Sequence, residues 1–256
     1  MENNGIRVRG RKYRLNIKKF SIFLSVVIGI IALIVLGTGN KDSMAANSET
    51  NITVPDRPPR YMEPEDTQMG PLVVLDAGHG GFDPGTSGVS GTREDVLNLQ
   101  ITERLKAILE QNGMRVIMTR EDENALARTK DDDMDARNRI IEQSGADIVV
   151  SIHMNWYEDP GMSGPTVLFI PGSMQGKRFA ETVQDSMNAA LGTDGIARSE
   201  NFFVLRSGDQ PSVMVECGYI SNAEEEIKLK QADYQQQVAE AIWEGIRAFI
   251  EESDTE

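Results

Sequence analysis

Downstream of Pro71, short unbroken apolar runs alternate with longer stretches in which apolar residues recur every three or four positions. LVVLDA at 72–77 predicts a buried strand, and RVIMTR at 115–120, ADIVVSIH at 146–153, TVLFIP at 166–171 and SVMVE at 212–216 predict others. Between them the spacing predicts helices. Leu97, Ile101, Leu105, Ile108 and Leu109 share one face of a helix over 94–113 that Gly113 stops. Phe179, Val183, Met187 and Leu191 align on 176–191, and Val238, Ile242, Ile246, Phe249 and Ile250 on 234–252, with a further helix near 134–144. Strands and helices alternating in this way are the pattern of an α/β domain.

The first seventy residues read differently. Seven Lys and Arg between positions 7 and 19 precede an uncharged run, FSIFLSVVIGIIALIVLG at 20–37. Eighteen helical residues at ~1.5 Å each reach roughly 27 Å, close to the ~30 Å of a bilayer's hydrocarbon core. No face of the run is polar, so a buried core helix is a poor account of it. The reading is a basic cytoplasmic segment over 1–19, then a transmembrane signal anchor or signal peptide over 20–39. A polar, proline-bearing linker over 40–70 follows, leading into one domain over 71–252. The domain is then exported, and the basic segment keeps the membrane as its partner.

Charge narrows the partners. Of 26 Lys and Arg, 8 precede residue 47, against 2 of 40 Asp and Glu, which leaves the remainder at a net of −20. A field of that sign repels nucleic acid. The lone Cys217 forms no internal disulfide, so the exported domain rests on its core.

The rare residues are concentrated. LDAGHGGFDPGTSG at 75–88 holds His79, one of two histidines in the chain, just past the first strand. It is not a nucleotide fingerprint: counting from Gly78 and Gly80, the third glycine of G-x-G-x-x-G falls on Asp83. The second histidine, His153, and Glu216 also stand at the ends of predicted strands, the edge where open α/β sheets bind ligands. Glu94, at the start of the first helix, returns from the same edge. Each alone has a structural explanation: a backbone angle tolerated by His79, a hydrogen-bonded His153, a dipole-favoured acid at Glu94. Together, two imidazoles and a carboxylate form a recurrent shell for catalytic zinc, and a separate carboxylate can move a proton. The glycines let the loop turn tightly, and its aspartates orient His79 from behind.

At these residues the chain resembles the zinc-dependent N-acetylmuramoyl-L-alanine amidases of the amidase-3 type. LDAGHGGFDPG, TREDVLNL, VVSIHMN and VLRSGDQPSVMVECGYISN are similar, in that order, to the family's four blocks. The resemblance implies a mostly parallel central sheet flanked by helices, with His79, Glu94 and His153 as Zn2+ ligands and Glu216 as catalytic base and acid. It implies peptidoglycan as substrate, cut at the amide between N-acetylmuramic acid and L-alanine. The single-domain layout and VECGYISN look most like the sporulation branch, whose germination-specific members prepare spore cortex for muramic-lactam formation. REDV and MNW depart from the family's commoner residues, which leaves Met154 and Trp156 as cleft-wall positions, while Asn155 and Arg206 fit its pattern.

Two other readings stand beside this one. A cysteine hydrolase would use Cys217 with His153, but neighbours in a strand face opposite ways, so Cys217 points from the cleft if Glu216 points in. A cell-wall-binding scaffold would keep the fold with weak metal affinity that depends on an accessory protein. The acidic tract at 121–133 reads as a solvated connection, a lid or a partner surface.

Overall fold

The computed structural model describes residues 70–253. The segments over 1–19 and 20–39, and the linker up to residue 69, lie outside the described residues. Among the described residues no helix is long and apolar enough to cross a membrane.

Six strands form one sheet: β1 (Leu72–Ala77), β2 (Arg115–Met118), β3 (Ile148–Asn155), β4 (Thr166–Phe169), β5 (Arg198–Ser199) and β6 (Ser212–Tyr219), in the order β2-β1-β3-β6-β4-β5. The pairs β1/β2, β1/β3, β3/β6 and β4/β5 are parallel, and β4/β6 is antiparallel. The predicted α/β class and mostly parallel sheet are thus present, with one reversal. The link from β3 to β4 carries no helix, so the chain turns back without the crossover that a parallel neighbour requires.

Five helices complete the domain: α1 (Glu94–Gln111), α2 (Lys130–Ser144), α3 (Met174–Leu191), α4 (Ala223–Leu229) and α5 (Ala232–Ser253). On one face of the sheet, Leu75, Ile152 and Val215 pack with Leu97, Ile101 and Leu105 of α1, Phe179 and Val183 of α3, and Ile242 and Ile246 of α5 in one buried cluster. Phe179 stacks on Phe249 at 4.6 Å between centroids. On the other face a smaller cluster joins Val74, Val149 and Met214 to Ile141 of α2 and to Val204 and Leu205 of a short 3-10 turn. This face is less covered at the carboxyl ends of its strands.

Four elements differ from the sequence reading. The helix expected near 134–144 begins at Lys130, because Thr129 caps it by accepting from the Asp132 N–H and Asp131, Asp132 and Asp133 fall in the first turn, where the helix dipole favours acids. The acidic tract is therefore a connection only to Thr129. The strand expected at 146–153 runs two residues later, since Asp147 closes the entry turn by bonding Leu72 through its side chain. The two-residue β5 and the helix α4 have no apolar period and escaped notice.

Gly245 lets α5 approach α3 closely: a Cβ there would lie 2.5 Å from the Val183 Cα. Overpacking costs about 1–3 kcal/mol, more than the ~1 kcal/mol that alanine gains over glycine in a helix. Gly245→Ala is expected to lower stability in urea unfolding despite its better helix propensity.

Candidate metal centre

β1 delivers the chain into the loop that carries His79. Gly78 follows the strand, its N–H donating to the Ile152 carbonyl at 3.1 Å. A Cβ on Gly78 would stand 2.2 Å from the His153 Nε2, so only glycine lets the loop pass the second imidazole. Among the described residues His79 alone, apart from glycines, has positive φ, at 60°. Such a conformation is held only when its surroundings over-determine it.

Two buried arginines do so. Arg120 donates from Nε to the Ala77 carbonyl at 2.8 Å and from Nη2 to the Gly78 carbonyl at 2.9 Å. Arg137, on α2, donates to the Ala77 carbonyl at 2.8 Å and to the His79 carbonyl at 2.5 Å. Arg137 is itself fixed by Asp76 at 2.7 Å and Asp133 at 2.8 Å. Burial works against the Asp76 charge, but Arg137 and the Ser151 and Thr119 hydroxyls hold its pKa down at about 2. The acidic tract backs the loop as well, the Glu123 carbonyl accepting from the Gly81 N–H at 2.7 Å.

Glu94 opens α1 and is 2% exposed. Its Oε1 lies 3.3 Å from His79 Nε2 and 2.9 Å from His153 Nδ1, and it accepts from the Met154 N–H at 3.2 Å. Its Oε2 accepts from the Thr86 N–H and hydroxyl at 2.8 and 3.0 Å. Ligand atoms of His79, Glu94 and His153 all lie within 4.8 Å of one another. This donor set, two imidazole nitrogens and a carboxylate oxygen, fits a divalent zinc with room for a further ligand. Asp83 bonds His79 Nδ1 at 3.0 Å, which orients the ring and leaves Nε2 for the site.

Glu216 sits on β6 in register with His153. Just beyond, β6 takes three residues where β3 takes two, a bulge of the kind found beside active sites. The Glu216 Oε2 is buried without a hydrogen-bond partner. Burial, with help from the Glu94 charge, pushes its pKa up to about 7, the two histidines pulling the other way. Burial would raise Glu94 too, but its hydrogen bonds to His153 and His79 reverse this and hold it well below the carboxylate range. Burial would lower His79, and Glu94, with Asp83 behind, instead raises it to about 9. In the metal-free protein the Glu94 charge thus keeps a proton where a cation would sit.

His79, Asp83, Glu94, Glu216, Trp156 and Lys130 are among the residues lining a cleft of about 520 Å³. Both of the unusual wall positions line the cleft: Trp156 is 49% exposed there, whereas Met154 is buried and also packs into the core. Asn155 lines the cleft and accepts from the Trp156 N–H. Arg206 does not line it and stacks on Phe203 at 5.4 Å. Cys217 is fully buried in the helical-side core, and burial drives its thiol well above its ordinary pKa. That leaves no thiolate beside His153, which removes the cysteine hydrolase reading. The residues missed from sequence were Arg120, Arg137 and Asn98, the last donating to the Gly78 carbonyl at 3.1 Å.

Two outcomes follow from this geometry. Arg137→Leu leaves Asp76 and Asp133 buried without their cation, a loss of about 3–5 kcal/mol that is readable as a lower urea midpoint, and it frees the His79 backbone, so zinc affinity falls. The His79 pair contributes fully to metal-free stability below about pH 6.5 and loses that contribution as pH rises through about 9. Zinc titration below pH 9 is accordingly expected to release protons, detected calorimetrically as a dependence of the apparent enthalpy on the buffer's ionisation enthalpy.

Comparison with known proteins agrees with the site. The amidase-3 family profile, described as N-acetylmuramoyl-L-alanine amidase, matches residues 73–248. The germination-specific N-acetylmuramoyl-L-alanine amidase of Bacillus subtilis is 31% identical over 196 residues, covering 72% of this chain and 82% of that protein. The probable cell wall amidase LytH of Staphylococcus saprophyticus is 34% identical over 223 residues, covering 85% of this chain and 71% of that one. The solved CwlD amidase of Clostridioides difficile, in complex with the GerS lipoprotein, superposes with a TM-score of 0.68 at 30% identity, covering 71% of this chain and 99% of its own. The strand order, the His-Glu-His cluster and these similarities converge: the chain belongs to the amidase-3 family of N-acetylmuramoyl-L-alanine amidases, hydrolases of peptidoglycan.

Proposed function

We propose that His79, Glu94 and His153 hold a zinc ion and that Glu216 is the proton-transfer residue for hydrolysis of the amide between the lactyl group of N-acetylmuramic acid and L-alanine. The observation that carries this reading is the pairing of a clustered donor set with a buried, unpartnered Glu216 Oε2 in the same cleft. A zinc ion there supplies Lewis acidity toward the scissile carbonyl and water. Glu94 is already ionised in the metal-free protein, where both histidines bond it, so it would offer the ion a carboxylate. Asp83 keeps the His79 Nδ1 occupied, so Nε2 is the atom offered. Glu216 Oε2 takes a proton from the attacking water and delivers it to the nitrogen of L-alanine as the carbon–nitrogen bond breaks. A pKa near 7 suits a group that must accept and then give a proton.

The narrower reading is that the peptidoglycan is spore cortex and that the chain acts outside the cytoplasmic membrane, anchored through residues 20–39. The likeness to the germination-specific amidase supports the first part, and the basic and apolar N-terminal sequence the second. The complex of CwlD with GerS supports an accessory protein for this chain as well. Accumulation of cortex lacking muramic lactam in a deletion strain is the outcome that fits; a defect confined to growing cells would move the substrate to the vegetative wall.

Mass spectrometry of peptidoglycan after incubation with the purified protein tests the chemistry. Free stem peptides beginning with alanine are expected, and chelator is expected to abolish them. Glu216→Gln is expected to lower the rate about 10²–10⁴-fold while zinc binding persists. Cys217→Ala is expected to retain activity. Full activity in Glu216→Gln would overturn the assignment.

A further inference from the structure

The described residues contain five exposed aromatic side chains: Phe82, Trp156, Tyr157, Phe202 and Phe203, from 38% to 56% exposed. All five lie on the segments that frame the cleft. Phe82 is in the His79 loop, Trp156 and Tyr157 follow β3, and Phe202 and Phe203 precede the 3-10 turn. The aromatic rings of α3 and α5 are buried or half-buried. Scattered exposed apolar residues need no explanation, but a patch gathered at one cleft does.

The cleft's two flanks differ in chemistry. From the β1 side come Asp83, Lys130 and Asp133; beyond His153 and Glu216 at the centre, the flank at the end of β3 and the start of the 3-10 turn brings Asn155, Trp156, Phe202, Phe203 and Val204, none of them charged. Arg206 braces one of these rings from outside the cleft, 5.4 Å over Phe203. The scissile amide likewise joins two unlike halves, an uncharged N-acetylated sugar and a stem peptide bearing carboxylates. An aromatic face offers CH-rich sugar rings a flat apolar partner with no desolvated charge. The acidic domain disfavours carboxylates, and Arg137, 2% exposed, is already bonded to Asp76 and Asp133; Lys130, with its side chain 68% exposed and held to Asp83 only at 3.5 Å, is the more accessible cation of the cleft lining.

We infer that Trp156, Phe202 and Phe203 form a saccharide subsite that stacks the N-acetylated glycan on the β3/β6 flank and thereby directs the stem peptide toward Lys130. This inference rests on the amidase reading above and adds the orientation of the substrate.

The test uses a neutral N-acetylglucosamine tetrasaccharide and the full-length protein, whose two tryptophans are Trp156 and the half-buried Trp243. Saturable change in tryptophan emission is expected, absent in Trp156→Phe and retained in Trp243→Phe. Phe202→Ala and Phe203→Ala are expected to weaken the sugar about three- to tenfold. Trp156→Ala is expected to raise KM for peptidoglycan about tenfold with kcat changed less than about twofold. Circular dichroism confirms that these surface variants are folded. Hydrolysis of peptidoglycan by the wild type with no sugar response and unaltered KM in the variants would overturn the subsite and leave the amidase reading intact. A sugar response in a protein that releases no stem peptide would uphold the subsite and sink that reading alone. A response to phosphatidylglycerol vesicles without one to the sugar would assign the rings to lipid and overturn the inference.

Discussion

Everything at this centre depends on three consecutive carbonyls, those of Ala77, Gly78 and His79, being held by two guanidinium groups. A left-handed histidine is unfavourable in isolation, and a loop carrying three further positive-φ glycines at 80, 81 and 85 has little intrinsic preference for one shape. Arginine suits the task because its donors are spread across a rigid plane, so one side chain can reach several acceptors at once. Burying such a charge is costly, and Asp76 and Asp133 offset that cost at Arg137. The ion pair thus sets the position of the His79 imidazole through its backbone, before any cation is considered.

The same cleft drives two buried carboxylates in opposite directions. Glu94 and Glu216 share the penalty of burial, yet Glu94 has hydrogen-bond donors on both oxygens and Glu216 Oε2 has none. One is therefore fixed as an anion, fit to hold a cation, and the other is poised between its two forms, fit to carry a proton. Environments that separate the pKa values of neighbouring acids are how a site assigns different roles to chemically identical groups.

Much of this was legible in the sequence, for definite reasons. His79, His153 and Glu216 stood out because imidazoles are rare here and because an apolar run ending in a polar residue marks the edge of a buried strand. The helical faces of α1, α3 and α5 were legible because each buries one stripe, and their outermost members, Ile108, Leu191 and Ile250, end only partly buried. Arg137 was not legible. It lies in a tract of alternating charge, KDDDMDARNR, indistinguishable by composition from a solvated helix, and its partners Asp76 and the His79 carbonyl are about sixty residues away. The acidic triplet Glu224 to Glu226 misleads in the same way. Glu225 is buried against the Gly164 and Tyr219 N–H groups, and Glu226 accepts from Ser90, tying down the loop that leads into Glu94. Charges used as anchors leave no mark until the chain has folded.

Strand parity links the two halves of the molecule. Glu216 and Cys217 are adjacent, and alternation along β6 sends one into the cleft and the other into the apolar layer beneath α1, α3 and α5. The hydrophobic layer therefore selects the register of β6. A slip of one residue would bury Glu216 among aliphatic side chains and carry Val213 and Val215 to the polar face. The energy that fixes the cleft face is thus mostly apolar burial on the opposite face. The sparse covering over α2 and the 3-10 turn, which looks like incomplete packing, is what leaves the strand ends open to a polymeric substrate.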